Sequence, residues 1–196
     1  MKQAIILAIL LVLVAGCSTM ETSTISGTQE LVLNEQDIQE IGIRSNLNEE
    51  GLKQLGIEGD GVNCWTDNAY SNIVDTSAGQ YTICAYLIPS LNDTEVIVEL
   101  QKFANYEALD GSYQYSSSHL YGVKGIISRD EYGDKSVFRV NSEDDYGAEF
   151  NEPGVYYYHL WICKDLYLIH VTSGGRSREA GEYVKKIGEQ ILSKFG

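Results

Sequence analysis

Two histidines, His159 and His170, flank Lys164-Asp165 in the stretch VYYYHLWICKDLYLIHVTS. A hairpin turning at Lys164-Asp165 makes paired residue numbers sum to a constant. His159 then faces His170, Trp161 faces Leu168 and Cys163 faces Leu166. Two cross-strand imidazoles can turn their ring nitrogens toward one transition-metal ion. Such a centre needs a third ligand, from Cys163, His119 or a carboxylate, and the sequence does not place one. The plainer reading is two partly buried aromatics bonded to backbone, so no metal and no cofactor is assigned.

The other chemistry-bearing groups are weaker. Glu143, Asp144 and Asp145, with Glu149 and Glu152 nearby, offer hard oxygen ligands for calcium but lack the spacing of an EF-hand loop. A solvated acidic loop is the usual outcome of such a run. Neither Gly-x-Ser-x-Gly nor Ser-x-x-Lys occurs, and nothing beyond proximity joins Cys163 to a histidine. The run SGGRS, Ser173 to Ser177, opens a helix and can meet an anion there, but as a bare Gly-rich entry it reads equally as a loop. No catalytic residue is assigned, and the chain reads as non-enzymatic.

These residues need elements to hold them. QYTICAYLI (80–88) and TEVIVELQKF (94–103) read as strands joined by a turn at Pro89 to Asp93, with Val96, Val98 and Leu100 inward and Glu95, Glu99 and Gln101 outward. Asn105 caps a helix on which Tyr106, Leu109 and Tyr113 share a face. KSVFRVN (135–141) is a further strand. After the hairpin, Ser177 caps a closing helix with Ala180, Val184, Ile187, Ile191 and Phe195 in one apolar stripe. The order predicts an α+β fold: an antiparallel sheet with helices mainly on one face, as two related halves.

On the hairpin, Tyr158, Leu160, Ile162, Ile169 and Val171 form an aliphatic face that should meet those helices. Tyr157, His159, Trp161 and His170 then form the candidate ligand surface, provided nothing else covers it. The chain holds 14 tyrosines, several of them in this stretch and in GSYQYSSSHLYG. Tyrosine suits contact surfaces, for sugar or protein ligands, but is also a good strand residue.

Ahead of the strands, LNEQDIQEIGI (33–43) is restated as LNEEGLKQLGI (47–57). Asn34 and Asn48 stand as N-caps, Gly42 and Gly56 as left-handed C-caps. Each unit is too short to hold alone and must dock on a larger core. No third copy follows, so this is not a solenoid.

Net charge is −14, with 28 acidic against 14 basic residues, which sets the surface against nucleic acid and anionic headgroups. Four cysteines are present. One, Cys17, ends Val14-Ala15-Gly16-Cys17 behind a Met1-Lys2 start and an aliphatic run from Ala4 to Ala15, a signal peptide in outline. This resembles the lipobox of prokaryotic (bacterial or archaeal) lipoproteins. The resemblance implies cleavage after residue 16 and lipidation of Cys17 by diacylglyceryl and acyl chains such as palmitate.

Cys64, Cys84 and Cys163 remain, and in an exported protein they allow one disulfide and one leftover thiol. Cys64–Cys84 is preferred, with pairings through Cys163, or three buried thiols, left open. The layout of the remaining chain, with Gly133-Asp134 before a strand, a Tyr-rich hairpin and a closing amphipathic helix, is similar to uncharacterised extracytoplasmic lipoproteins.

The expected organisation is a signal peptide over 1–16, a lipidated Cys17 with a polar tether to residue 30, and one domain over 31–196. The expected place is the cell membrane or envelope, facing outside the cytoplasm. The expected role is binding a protein, glycan or small molecule. The alternative is a small metal-dependent enzyme using His159 and His170.

Overall fold

A computed structural model describes residues 25–46, 64–68, 78–118, 125–141 and 153–196. Among these, eight strands form one sheet in which every pairing is antiparallel, and three α-helices pack on it. The expected α+β class is therefore observed. The chain runs α1 (Glu35–Ile41), β1 (Arg44–Ser45), β2 (Cys64–Asp67), β3 (Ala78–Ile88), β4 (Thr94–Phe103) and α2 (Tyr106–Ser118). It continues through β5 (Ile126–Arg129), β6 (Lys135–Asn141), β7 (Tyr156–Lys164), β8 (Tyr167–Gly175) and α3 (Ala180–Leu192). Across the sheet the order is β3-β4-β8-β7-β6-β5, with β1 and β2 both paired to the outer side of β3.

Alternation along the strands sorts the side chains to two faces. On one, Tyr86, Val96, Val98, Leu100, Leu160, Ile162, Ile169 and Val171 pack against Ala180, Val184, Ile187 and Ile191 of α3, with Ile41 of α1 in the same cluster. Gly181 and Gly188 let α3 come close. A Cβ there would stand 2.8 Å from Tyr158 Cε1 or 2.8 Å from Leu160 Cδ2. The helix α1 is built as its caps predict. The Asn34 side chain accepts from the Asp37 amide at 2.9 Å, the Asp37 carboxylate accepts from the Asn34 amide at 2.9 Å, and Gly42 ends the helix at φ 82°. Its restatement at 47–57 lies outside the described residues.

Three expectations are corrected. First, the sharing of one face is only partial: α1 and α3 lie on one side of the sheet and α2 on the other. Leu109 and Tyr113 of α2 cluster with Phe103, Val137, Trp161, Cys163 and Leu168 on the face opposite α3. Topology requires a crossing, and the packing of Leu109 and Tyr113 puts α2 on this face. The chain leaves β4 in mid-sheet and re-enters at β5 on the far edge, so it must traverse β8, β7 and β6. Tyr106, expected inward with these two, is 66% exposed at the helix start.

Second, the two halves are not related by symmetry. A two-fold through the antiparallel β4–β8 pair superposes the hairpins but keeps faces, whereas the helices that follow them lie on opposite faces. Third, the hairpin turns one residue later than expected. Lys164 pairs with Tyr167, because Asp134 accepts the Asp165 amide at 2.8 Å and Lys164 Nζ at 2.9 Å, and Asp165 turns at φ 51°. Trp161 therefore faces His170 and His159 faces Thr172. The shift leaves each residue on the face expected of it.

The stretch assigned to the tether is packed where it is described. The Thr28 hydroxyl is buried 2.8 Å from that of Thr82, and the Ile25 carbonyl accepts from the Tyr167 hydroxyl at 3.0 Å. On the same strand β3, Cys84 is the cross-strand partner of Cys64 and the two are joined by a disulfide, as preferred, while Cys163 is a buried free thiol.

Candidate functional site

The face carrying the hairpin's aromatics has its side chains in rows across the strands. One row reads Glu95, Gly174, Tyr157; the next Ile97, Thr172, His159; the third Glu99, His170, Trp161. The third row holds a polar chain. Glu99 accepts from the Tyr81 hydroxyl at 2.6 Å and from His170 Nδ1 at 2.7 Å. His170 Nε2 lies 2.8 Å from the Thr172 hydroxyl and 3.2 Å from His159 Nδ1. With Glu99 accepting, His170 Nδ1 is the donor of that pair.

The rings of His159, Trp161 and His170 lie nearly parallel, with Trp161 and His170 centroids 4.5 Å apart at 5° and His159 and Trp161 5.1 Å apart at 8°. Arg139 is buried opposite His159 and donates to the Ser117 carbonyl at 3.2 Å.

Environment sets the charges. Burial pulls the Glu99 carboxyl up, but the His170 hydrogen bond, the charge of that ring and the Tyr81 hydroxyl outweigh it and hold Glu99 below the usual carboxylate range. His159 is held well below the usual imidazole value, first by burial and then by His170 and the Arg139 guanidinium. It is a neutral ring in a closed setting.

The predicted ligand surface is thus brought together but not left open. Trp161 is 2% exposed and His159 6%, which overturns an exposed aromatic platform at these two positions. The cause is α2, whose Leu109 and Tyr113 seal Trp161. Tyr157 and His170 are half-buried. Sequence reasoning missed Glu99, Thr172, Tyr81 and Arg139. Glu99 was assigned to solvent because its partner arrives on β8, 71 residues later. The outward position was correct; what covers it was not visible.

As a metal centre the cluster falls short in donors. The two imidazole nitrogens face one another, Glu99 is committed to the far ring nitrogen of His170, and no group of three His, Cys, Asp or Glu is found among the described residues. His119 and the acidic run lie outside those residues. Burial pushes the Cys163 thiol up to about 12, so it is a poor nucleophile beside a cavity of about 230 Å³ formed with Tyr106, Leu109 and Lys135. The SGGRS run does not present an isolated helix start: Arg176 Nη1 donates to the Pro153 carbonyl at 2.7 Å and Ser177 Oγ accepts the Glu179 amide at 3.1 Å.

The open concavity lies one row further along the same face. A cleft of about 820 Å³ opens where β4 begins and β8 ends, over Gly174 and Gly175, between Asn92, Asp93 and Glu95 on one side and Tyr157 and Arg176 on the other. Arg44 reaches Asp93 at 3.0 Å, and the Asn46 amide donates to Glu95 at 2.8 Å. No helix of the described residues is long and apolar enough to cross a membrane.

Among the described residues, fold and site define a disulfide-bonded antiparallel α+β domain with a sealed polar cluster and an open polar cleft. No protein-family model matches the sequence, and no curated protein matches it. Among solved structures the chain is similar to the extracellular domain of PknH from Mycobacterium tuberculosis, at 11% identity and a TM-score of 0.48, over 85% of this chain and 95% of that one.

Proposed function

We propose that this is a lipid-anchored extracytoplasmic domain that acts by binding rather than by chemistry. The observation that carries the reading is the Cys64–Cys84 disulfide in a chain that begins with a lipobox-like run ending at Cys17. Structural disulfides persist in oxidising compartments, which an exported chain reaches. Support for binding over catalysis comes from the reactive groups, since His159 is enclosed and neutral and the Cys163 thiol is inert. A net charge of −14 argues against a nucleic-acid partner and leaves membrane attachment to the lipid. Cys17→Ser is expected to move the protein from the membrane fraction to the soluble one and to abolish labelling by a fatty-acid analogue. Continued membrane retention without label would sink the anchoring.

The alternative, a metal-dependent enzyme built on His159 and His170, has one observation in its favour. Their nitrogens are 3.2 Å apart with Glu99 behind His170, which is the outer arrangement of many metal-binding histidines. Stoichiometric zinc in purified protein, lost in His159→Ala, would establish it.

A further inference from the structure

We infer that the cleft at the β4–β8 end of the sheet is a saccharide site that takes a neutral glycan. This rests on the reading of the domain as an extracytoplasmic binding module.

The site follows from a missing side chain. Gly174 is the cross-strand neighbour of Glu95 on one side and of Tyr157 on the other. With strands about 4.8 Å apart, acid and phenol are rooted about 10 Å apart across a bare strip of backbone. A Cβ at Gly174 would stand 3.0 Å from Tyr157 Cε1, so the ring leans over the glycine instead of standing away from the sheet. Gly175 repeats the device on the other side of the strand, where a Cβ would meet the Thr94 methyl at 2.7 Å. Gly174 thus gives the Tyr157 ring room to lie low over β8 as part of the floor of the cleft, and Gly175 lets β4 come close at Thr94.

The walls match the two kinds of surface on a pyranose. One side of the sugar ring is a patch of C–H groups, which an aromatic ring covers, and its rim is a series of neighbouring hydroxyls. Planar polar groups bond such hydroxyls in pairs, and Asn92, Asp93, Glu95 and Arg176 supply an amide, two carboxylates and a guanidinium around Tyr157. The acids are oriented beforehand. Arg44 holds Asp93 at 3.0 Å and Asn46 holds Glu95 at 2.8 Å, and each carboxylate has lone pairs to spare.

Charge selects among polyhydroxylated ligands. At the wall Asp93 and Glu95 are matched by Arg44 and Arg176, so the site offers no net charge to an ionic ligand, while the net charge of −14 of the whole chain works against uronic acids, phosphosugars and nucleotides. Apolar anchors for a peptide are few, Leu91 and Val155 being the aliphatic side chains of the lining.

The test uses the full chain purified in detergent, applied to immobilised neutral oligosaccharides of gluco-, galacto-, manno- and xylo-configuration and to oligomers of uronic acids. Binding to at least one neutral series is expected, weakened about tenfold by Tyr157→Ala and by Glu95→Gln, each removing one stacked or charge-assisted contact. Both variants should keep the thermal midpoint of the parent, which separates a lost contact from a lost fold. The inference is overturned if no neutral oligosaccharide binds at millimolar concentration, if uronic acid oligomers alone bind, or if binding survives both substitutions. Glycan binding by a Cys17→Ser chain that stays on the membrane would instead defeat the anchoring while leaving this site standing.

Discussion

Lowering the pH from 7.5 to 5 protonates His159 in the unfolded chain but not in the folded one, because burial, His170 and Arg139 hold its folded value well below 6.5. The unfolded state therefore binds the extra proton, and stability falls as pH falls. The loss is present below the unfolded value near 6.5 and approaches about 1.4 kcal/mol per pH unit. Integrated from pH 7.5 to 5 it amounts to at most about 2 kcal/mol, a large share of a typical domain's stability. Glu99, Asp37 and Asp134 have lowered folded values and lose their stabilisation only on falling below the unfolded carboxylate range, near pH 4. The window above pH 5 thus separates the imidazoles from the carboxylates, and the comparison with a His159 variant singles out His159. Urea unfolding followed by tryptophan fluorescence should show a midpoint lower at pH 5 than at pH 7.5 by up to about 1 M, for a slope near 2 kcal/mol/M. His159→Gln keeps a polar side chain beside Thr172 and His170 but does not titrate, and should flatten most of this dependence. Parallel pH profiles for the two proteins would refute the enclosed neutral imidazole.

Three further outcomes are expected. Cys64→Ser with Cys84→Ser opens a covalent loop spanning 20 positions and should cost about 3 kcal/mol, read as a lower thermal midpoint under non-reducing conditions. Cys163, its thiol pushed up to about 12, should resist iodoacetamide at pH 8 in the native protein and react fully in urea; native labelling at the rate of a free thiol would contradict its burial. Gly133→Ala should cost about 1–3 kcal/mol, since the residue sits at φ 60° and its Cβ would lie 2.5 Å from the Cys163 carbonyl oxygen. A neutral result in chemical denaturation would argue against that approach of the two turns.

What could be read from the chain was local. Asn34 and Gly42 announce α1 because caps act within a turn of the residues they satisfy, and the alternation of Val96, Val98 and Leu100 marks β4 because neighbouring side chains answer to one sheet face. The hairpin's two faces also follow from parity, which survives the one-residue error in its turn. That error came from Asp134, 31 residues before Asp165, whose carboxylate fixes the turn from outside. The two-residue strand β1 carries too little pattern to announce itself.

The aromatic face shows the same division. Alternation along the hairpin placed Tyr157, His159, Trp161 and His170 on one face correctly. Whether they met solvent depended on where α2 passes, which is a property of strand order. The cleft was missed for a related reason. Gly174 reads as a loop residue in SGGRS, and only its neighbours on β4 and β7 turn it into a floor.

The position of β8 bears on when this protein can exist at all. It is the last strand described, yet it lies between β4 and β7 and joins the β3–β4 hairpin to the β5–β6–β7 meander. Until it arrives, β4 presents an unpaired edge, and the contact that closes it, Glu95 to Gly174, spans 79 positions. Pairings of such long separation form slowly, and the open edge meanwhile is a template for other strands. A chain synthesised from its N-terminus holds that edge exposed until β8 follows. Completion of the sheet is thus timed by the arrival of its last described strand, and a chain halted anywhere before Tyr167 holds two incomplete sheets in place of a partly finished one.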